Sequence, residues 1–327
     1  MVSLAVGLLL LAAFISVLQQ CRQQFAVDES LASLQDTARQ AMSILVPDIE
    51  QAGFYGFSST GEPRWVRGGR VLAHGVELGQ PDSRDLTPPV AGLPAGAHDC
   101  GTNFAVDVAL PVQGNNNVYG AGVNARDCAP TAVAGGARLG ADSLTVRHAS
   151  RSLAVPLAGR LQLYSQRLLA HASLDLFADG HAPDVTNDDA QIRDLEVRSY
   201  YIANNSVDRQ GWPALRVKAL TESRGAAQFR DEELLTGVED LQVEFGSVDP
   251  GTPGAVPTFA PPDGAASRRR VVAVRLWLRI RADRTENGYF DPRPLRYSDV
   301  VFVPDAAEAR QRRMLVERTV ALRNLRE

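Results

Sequence analysis

Apolar positions along the chain fall into three regimes. Val2 to Leu18 reads VSLAVGLLLLAAFISVL without a charge; as a helix at about 1.5 Å per residue it spans about 25 Å, against a bilayer core of about 30 Å. Val2, Leu4, Val6, Leu8, Leu9, Leu10, Leu11, Phe14, Ile15, Val17 and Leu18 are its apolar positions and predict a transmembrane segment. From Phe25 to Ala52 there is no glycine, and Leu31, Leu34, Ala38, Ala41, Leu45, Ile49 and Ala52 recur at steps of three and four, which lines one face of an α-helix. The two stretches predict one helix of about 50 residues and about 75 Å, apolar all round in its first third and amphipathic after that. Pro47 predicts a kink or break just before it, and Gly53 a stop.

The next regime, 53–140, is rich in Gly, Pro and Asn with little period, and predicts an elaborated loop region. The third, 141–327, alternates. SLTVRH at 143–148, RDLEVRSYYI at 193–202, ALRVKAL at 214–220 and DLQVEFG at 240–246 read as strands. In RRVVAVRLWLRIRA, Val272, Val274, Leu276, Leu278 and Ile280 share one face while Arg275, Trp277, Arg279 and Arg281 share the other, a half-buried antiparallel strand with a solvated arginine side. RRMLVERTVALRN places Met314, Val316, Val320 and Leu322 together, with Arg318 as the exception, and SVDPGTPGAVPTFAPPDG at 247–264 predicts an exposed hairpin loop. The division is therefore 1–52 helix, 53–140 loops and 141–327 antiparallel sheet, an α+β chain.

Composition adds exclusions. With 327 residues the chain can bury a sizeable core, and 34 Lys plus Arg against 38 Asp plus Glu give a formal net charge of −4, which argues against a nucleic-acid footprint over the whole surface. Lys218 is the only lysine. Three readings of the apolar start compete: a cleaved signal, a lipoprotein signal ending at Cys21, or a retained membrane helix. Gln19 and Gln20 before Cys21 are neither small nor apolar, which disfavours lipidation, and nothing basic precedes Val2, which disfavours a secretory signal.

Catalytic patterns are weak. GAGVNA at 120–125 has dinucleotide-binding spacing but leads into DCAP instead of a helix. DRTENG at 283–288 resembles half of a calcium loop around Asp283, Thr285 and Asn287, but Pro294 stands where a bidentate carboxylate is needed. No G-x-S-x-G, H-E-x-x-H or P-loop occurs. The chain reads as having no chemistry, cofactor or bound metal of its own. Arginines at 268–270 with Arg275, Arg279 and Arg281 could hold an acidic partner, and otherwise form a solvated strand face.

Taken in order, MVSLAVGLLLLA, LQDTARQAMSILVPDIEQAGFYGF, GADSLTVRHAS, ELLTGVEDLQVEFG, VVAVRLWLRIRA and ERTVALRN resemble the PilW family of type IV pilus minor pilins nearly end to end. Type II secretion minor pseudopilins of the J type are similar, and a membrane-anchored periplasmic binding protein is a further alternative. The resemblance implies a pilin-like fold whose long N-terminal helix packs on an antiparallel sheet. It implies a single-pass protein of the bacterial inner membrane with a periplasmic globular domain, which could also reach the pilus tip at the cell surface. Its partners would be other minor pilins, the assembly machinery, a tip adhesin and membrane lipid, with no nucleic acid. The family's processing motif has no counterpart here, and Met1 and Val2 match positions about six residues into the mature helix. Phe57 stands where relatives carry a cysteine. In an oxidising periplasm Cys100 and Cys128 could close a loop, stabilising by about 3.6 kcal/mol on the chain-entropy model. Two free thiols, or zinc on His98, Cys100, Cys128 and His148, are the other readings.

Overall fold

A computed structural model of the chain describes residues 2–57, 64–66, 70–72, 108, 110–119, 129–167, 172–182, 190–249, 255–262, 270–286 and 288–325. One helix, α1 (Val2–Gln51), is followed by β1 (Arg64–Val66), β2 (Arg70–Leu72), β3 (Val112–Asn115), β4 (Ser143–Ala149), β5 (Ala158–Arg167), β6 (Ala172–Asp179), β7 (Ala190–Ala203), β8 (Ala214–Ser223), β9 (Ala226–Thr236), β10 (Val238–Val248), β11 (Thr258–Ala260), β12 (Arg270–Thr285), β13 (Leu295–Tyr297), β14 (Val300–Phe302) and β15 (Gln311–Ala321). The architecture is α+β, as expected.

The expected single sheet is two. One runs β11-β10-β12-β15, and a larger one runs β3-β4-β7-β5-β6 with β8 joining β7 to β9; two small hairpins, β1-β2 and β13-β14, form sheets of their own. The strand pairs are antiparallel. Gly237 is the joint between the sheets: it sits at φ 85° between β9 and β10, a conformation that glycine adopts without steric cost. Its amide donates to Pro213, and its carbonyl accepts from the Arg281 amide.

α1 lies across both sheets. Leu34, Ala38, Ala41, Leu45, Ile49 and Ala52 are buried against Leu144 and Val146 of β4, Tyr200 and Ile202 of β7, and the inner faces of β10 and β12; Leu31 is half-buried at the margin. The predicted break at Pro47 does not occur, since α1 continues through it to Gln51. Burial of Leu45 and Ile49 on either side holds the turn, and the Pro47 carbonyl accepts from Gln51 Nε2 at 3.0 Å. A second core on the far side of the larger sheet gathers Tyr55, Leu161, Leu163, Leu176, Leu195, Val197 and Tyr201.

Two further expectations need correction. Val272, Val274, Leu276, Leu278 and Ile280 are buried as predicted, but Trp277 and Arg279 on the opposite face of β12 are buried too. Hairpin β13-β14 contributes Tyr297 and Phe302 there, with Phe302 3.8 Å from the Arg279 guanidinium. The segment 247–264 is not all loop: β11 pairs with Phe245–Ser247, and Phe259 lies 3.8 Å under the Arg275 guanidinium. Within 53–140 the described residues hold β1, β2, β3 and a 3-10 turn at Ala132–Ala134.

Asp142 ties the sheets together near β4. Its carboxylate accepts the Asn117 and Val243 amides, each at 2.7 Å, and its own amide donates to Leu241. Burial pushes this carboxyl up to about 7, against the two amide bonds, with Asp299 and Asp240 adding to the rise. Because the folded value exceeds the unfolded one, the folded state holds the extra proton between about pH 4 and 7, and stability from this group falls as pH rises through that window. Urea midpoints of the full-length chain in detergent should therefore show wild type losing ground to Asp142→Asn between pH 4 and 8; a constant difference would refute the assignment.

Candidate assembly helix and its ionic clamp

The two halves of α1 meet different surroundings. Leu10, Leu11, Phe14, Ile15, Val17 and Leu18 are exposed, as is Phe25 at 75%. That is a long apolar surface of the kind that marks a membrane or protein contact. Among the described residues no helix is long and apolar enough to cross a membrane; the side chains at Val2, Leu4, Val6, Leu8 and Leu9 lie outside the described set. Cys21 is an exposed free thiol.

The other end of α1 is fastened by charge. Asp48 sits among the buried apolar positions of the helix and is 2% exposed, so its carboxylate must be matched by donors. Alternation along β4 sends His148 to the α1 side with Leu144 and Val146, and alternation along β7 sends Arg198 and Tyr200 there. His148 Nε2 lies 2.8 Å and Arg198 2.6 Å from Asp48 Oδ1, and Tyr200 donates to Oδ2 at 3.0 Å. Arg198 also reaches Glu196 at 2.5 Å. Burial alone would lower the His148 pKa, but the Asp48 bond and charge, with the Ala149 carbonyl accepting from Nδ1, carry it above its ordinary value. The imidazolium thus donates on both sides. Burial raises the Tyr200 hydroxyl well above the usual range, keeping it a donor.

The helix exit explains AGFYGF. Gly53 takes φ 76°, its amide donates to Arg147, and Phe54 accepts from Ala149 while Tyr55 Oη donates to Arg147. From the far end of the chain, Asn324 Nδ2 lies 3.3 Å from each of the Glu50, Gln51 and Ala52 carbonyls, satisfying acceptors that a helix end leaves open. The closing VALRN is a helix cap.

GVEDLQVEFG carries a second buried network. Glu239 accepts Arg313 at 2.7 and 3.0 Å and Arg279 at 3.1 Å, while Tyr297 donates to Asp240 at 2.6 Å. Burial alone would raise Glu239, but Arg313 and Arg279 hold it below the usual carboxylate range. Arg279, placed on a solvated face by its strand period, is an interior counter-ion. Asp283 of the calcium-like turn pairs with Arg209 at 3.0 Å. Cys100, Cys128, His98, GAGVNA and the arginines at 268 and 269 lie outside the described residues. His148 is described and is held by Asp48. Among the described residues, one group of side chains, Asp48, His148 and Glu196, is disposed to hold a metal ion.

Residues 199–324 match the family model of PilW, type IV pilus-assembly protein W. The match likens this C-terminal part of the chain to a type IV pilus-assembly protein. The PilW match takes in the end of β7 from Ser199, all of β8 to β15, and the Asn324 cap. No curated protein matches the chain. Among solved structures, the type IV-like pilin TTHA1219 from Thermus thermophilus is similar at 16% identity and TM-score 0.28, over 57% of this chain and 80% of that one.

Removing Asp48 leaves His148 and Arg198 without their shared acceptor. Asp48→Ala should cost about 3 kcal/mol, as for a broken buried ion pair. Asn324→Ala should cost about 1 kcal/mol, as for one net hydrogen bond. Chemical denaturation of the full-length chain checks both; an Asp48→Ala loss no larger than that of Asn324→Ala would show the clamp to be secondary.

Proposed function

We propose that this protein is a minor pilin that takes part in type IV pilus assembly through helix packing, with no catalysis of its own. The observation that carries the reading is that one helix serves two environments: the buried face of α1 from Leu34 to Ile49 belongs to the core, while residues 10–25 present large apolar side chains outward. The PilW match over residues 199–324 supplies the assembly context. In this reading the globular part is pilin-like and periplasmic, and the first part of α1 is held in the inner membrane. That apolar stretch then exchanges lipid for the apolar faces of other pilin helices. Lipid and a bundle of apolar helices are nearly equivalent surroundings for Leu and Phe, so the transfer needs little net change in hydrophobic free energy. Partners would be other minor pilins and the assembly machinery, with loops of 53–140 and 247–264 facing neighbours or a tip adhesin.

Leu11→Arg tests this without touching the core. A charge at the centre of a spanning helix costs about 3 kcal/mol on insertion scales, so the variant should lose membrane association and co-purification with other minor pilins, and surface piliation should drop. The urea midpoint of its globular part should stay unchanged. Normal piliation with a defect in protein secretion would instead assign the chain to a secretion system.

A further inference from the structure

Two carboxylates and two cations meet where β7 crosses the end of α1. One ligand atom each from Asp48, His148 and Glu196 lie within 4.8 Å of one another. Asp48 and His148 are buried, and Glu196 is half-buried. In a tetrahedral zinc site with bonds of about 2.0 to 2.2 Å, neighbouring ligand atoms stand about 3.3 Å apart. His148 Nε2 and Asp48 Oδ1 are already 2.8 Å apart, so a modest opening suffices. The seat between the carboxylates is taken by the Arg198 guanidinium, 2.6 Å from Asp48 and 2.5 Å from Glu196.

Arg198 has somewhere to go. β5 pairs with β7 up to Asp194, and β8 pairs from Arg198 onward, which opens a fork in the sheet at residues 195–197. A cavity of about 170 Å³ lies there, lined by Glu196 and Arg198 with Arg160, Thr221, Arg230 and Glu232. The Arg198 side chain is 38% exposed.

We propose that Asp48, His148 and Glu196 form a zinc site, in which Arg198 is the resident counter-ion that a Zn²⁺ ion displaces. The charge balance holds: the ion brings two positive charges, while Arg198 withdraws one and His148 gives the other up to solvent as its Nε2 proton. Tyr200 keeps its bond to the second oxygen of Asp48. One imidazole nitrogen with two carboxylates and a place for water suits zinc, whereas calcium needs six or more oxygens and magnesium a near-octahedral oxygen shell. Bound zinc would staple α1 to β4 and β7 at one point. This inference rests on geometry alone and stands whether or not the protein builds pili.

The test is calorimetric titration of ZnCl₂ into the EDTA-treated, dialysed full-length protein in detergent, alongside its melting temperature. Wild type should bind one Zn²⁺ per chain and melt higher with it, and Mg²⁺ or Ca²⁺ at the same concentration should do neither. Arg198→Ala, which removes the competitor, should bind at least tenfold tighter; Arg198→Gln serves if that variant does not fold. Adding Glu196→Gln to either should weaken binding at least tenfold. Absence of zinc uptake by the Arg198 variants would overturn the site, as would affinity unchanged by Glu196→Gln, which would place the ion on other side chains.

Discussion

Asp48 is the constraint around which the two halves of the molecule are organised. A carboxylate in the buried face of a long helix is tolerable only where donors converge on it, and the three that do come from two strands: His148 of β4, and Arg198 and Tyr200 of β7. These contacts span 100, 150 and 152 positions of sequence. An apolar side chain at this position would slide along the sheet at small cost, because hydrophobic contact is not directional. A bonded carboxylate cannot, so the helix is fixed both in rotation and along its axis. The Asn324 side chain on the last carbonyls of α1 and the Gly53 turn onto β4 repeat that constraint from two other directions.

The positional lock explains why the chain uses so many buried arginines. Arg147, Arg216 and Arg279 are nearly inaccessible. Arg279 neutralises Glu239, and Arg216 lies 2.7 Å from both Asp231 and Glu233. Such pairs add little net stability compared with apolar packing, because desolvation offsets the Coulomb gain. They do select one register, since a shift of one residue along any of these strands would bury a charge without its partner. Two sheets meeting at Gly237 under one helix have many near-equivalent apolar arrangements, and the ion pairs discriminate among them.

What could be read from the sequence follows the same division. Non-directional packing leaves a period, so the α1 face from Leu34 to Ile49 and the inner face of β12 were visible as spacing alone. Directional pairs leave no local mark: His148 reads only as a candidate zinc ligand alongside Cys100 and Cys128, Arg279 reads as solvated, and Arg198 has no assigned role. Strands β5, β6 and β9 escaped because their runs are short or carry charge on both sides, as in FRDEELL. The split into two sheets depends on Gly237, and a lone glycine in a strand pattern reads equally as a bulge. Gly53 of AGFYGF is legible as the helix stop, whereas the rest of that segment and VALRN carry no physical role in the sequence alone. Both prove to be the termination of α1, one as its exit turn and the other as a cap from more than 270 positions away.

A clamp at the C-terminal end of a helix has a consequence for its other end. Fixed at Asp48 and packed from Leu34 onward, α1 extends past the sheets as a rigid lever whose apolar side chains at 10–25 are exposed. About 16 residues separate Leu18 from Leu34, roughly 24 Å of helix at 1.5 Å per residue. Any rotation of a straight helix at the clamp would turn the apolar stretch by the same angle relative to the globular part. An apolar helix must present one face to each neighbour when it leaves lipid for a bundle. In the proposed assembly role its orientation would be set at Asp48, because the apolar residues themselves are nearly uniform around the helix. The charged contacts of the core thus do what the apolar stretch cannot do alone: they give a non-directional surface a direction.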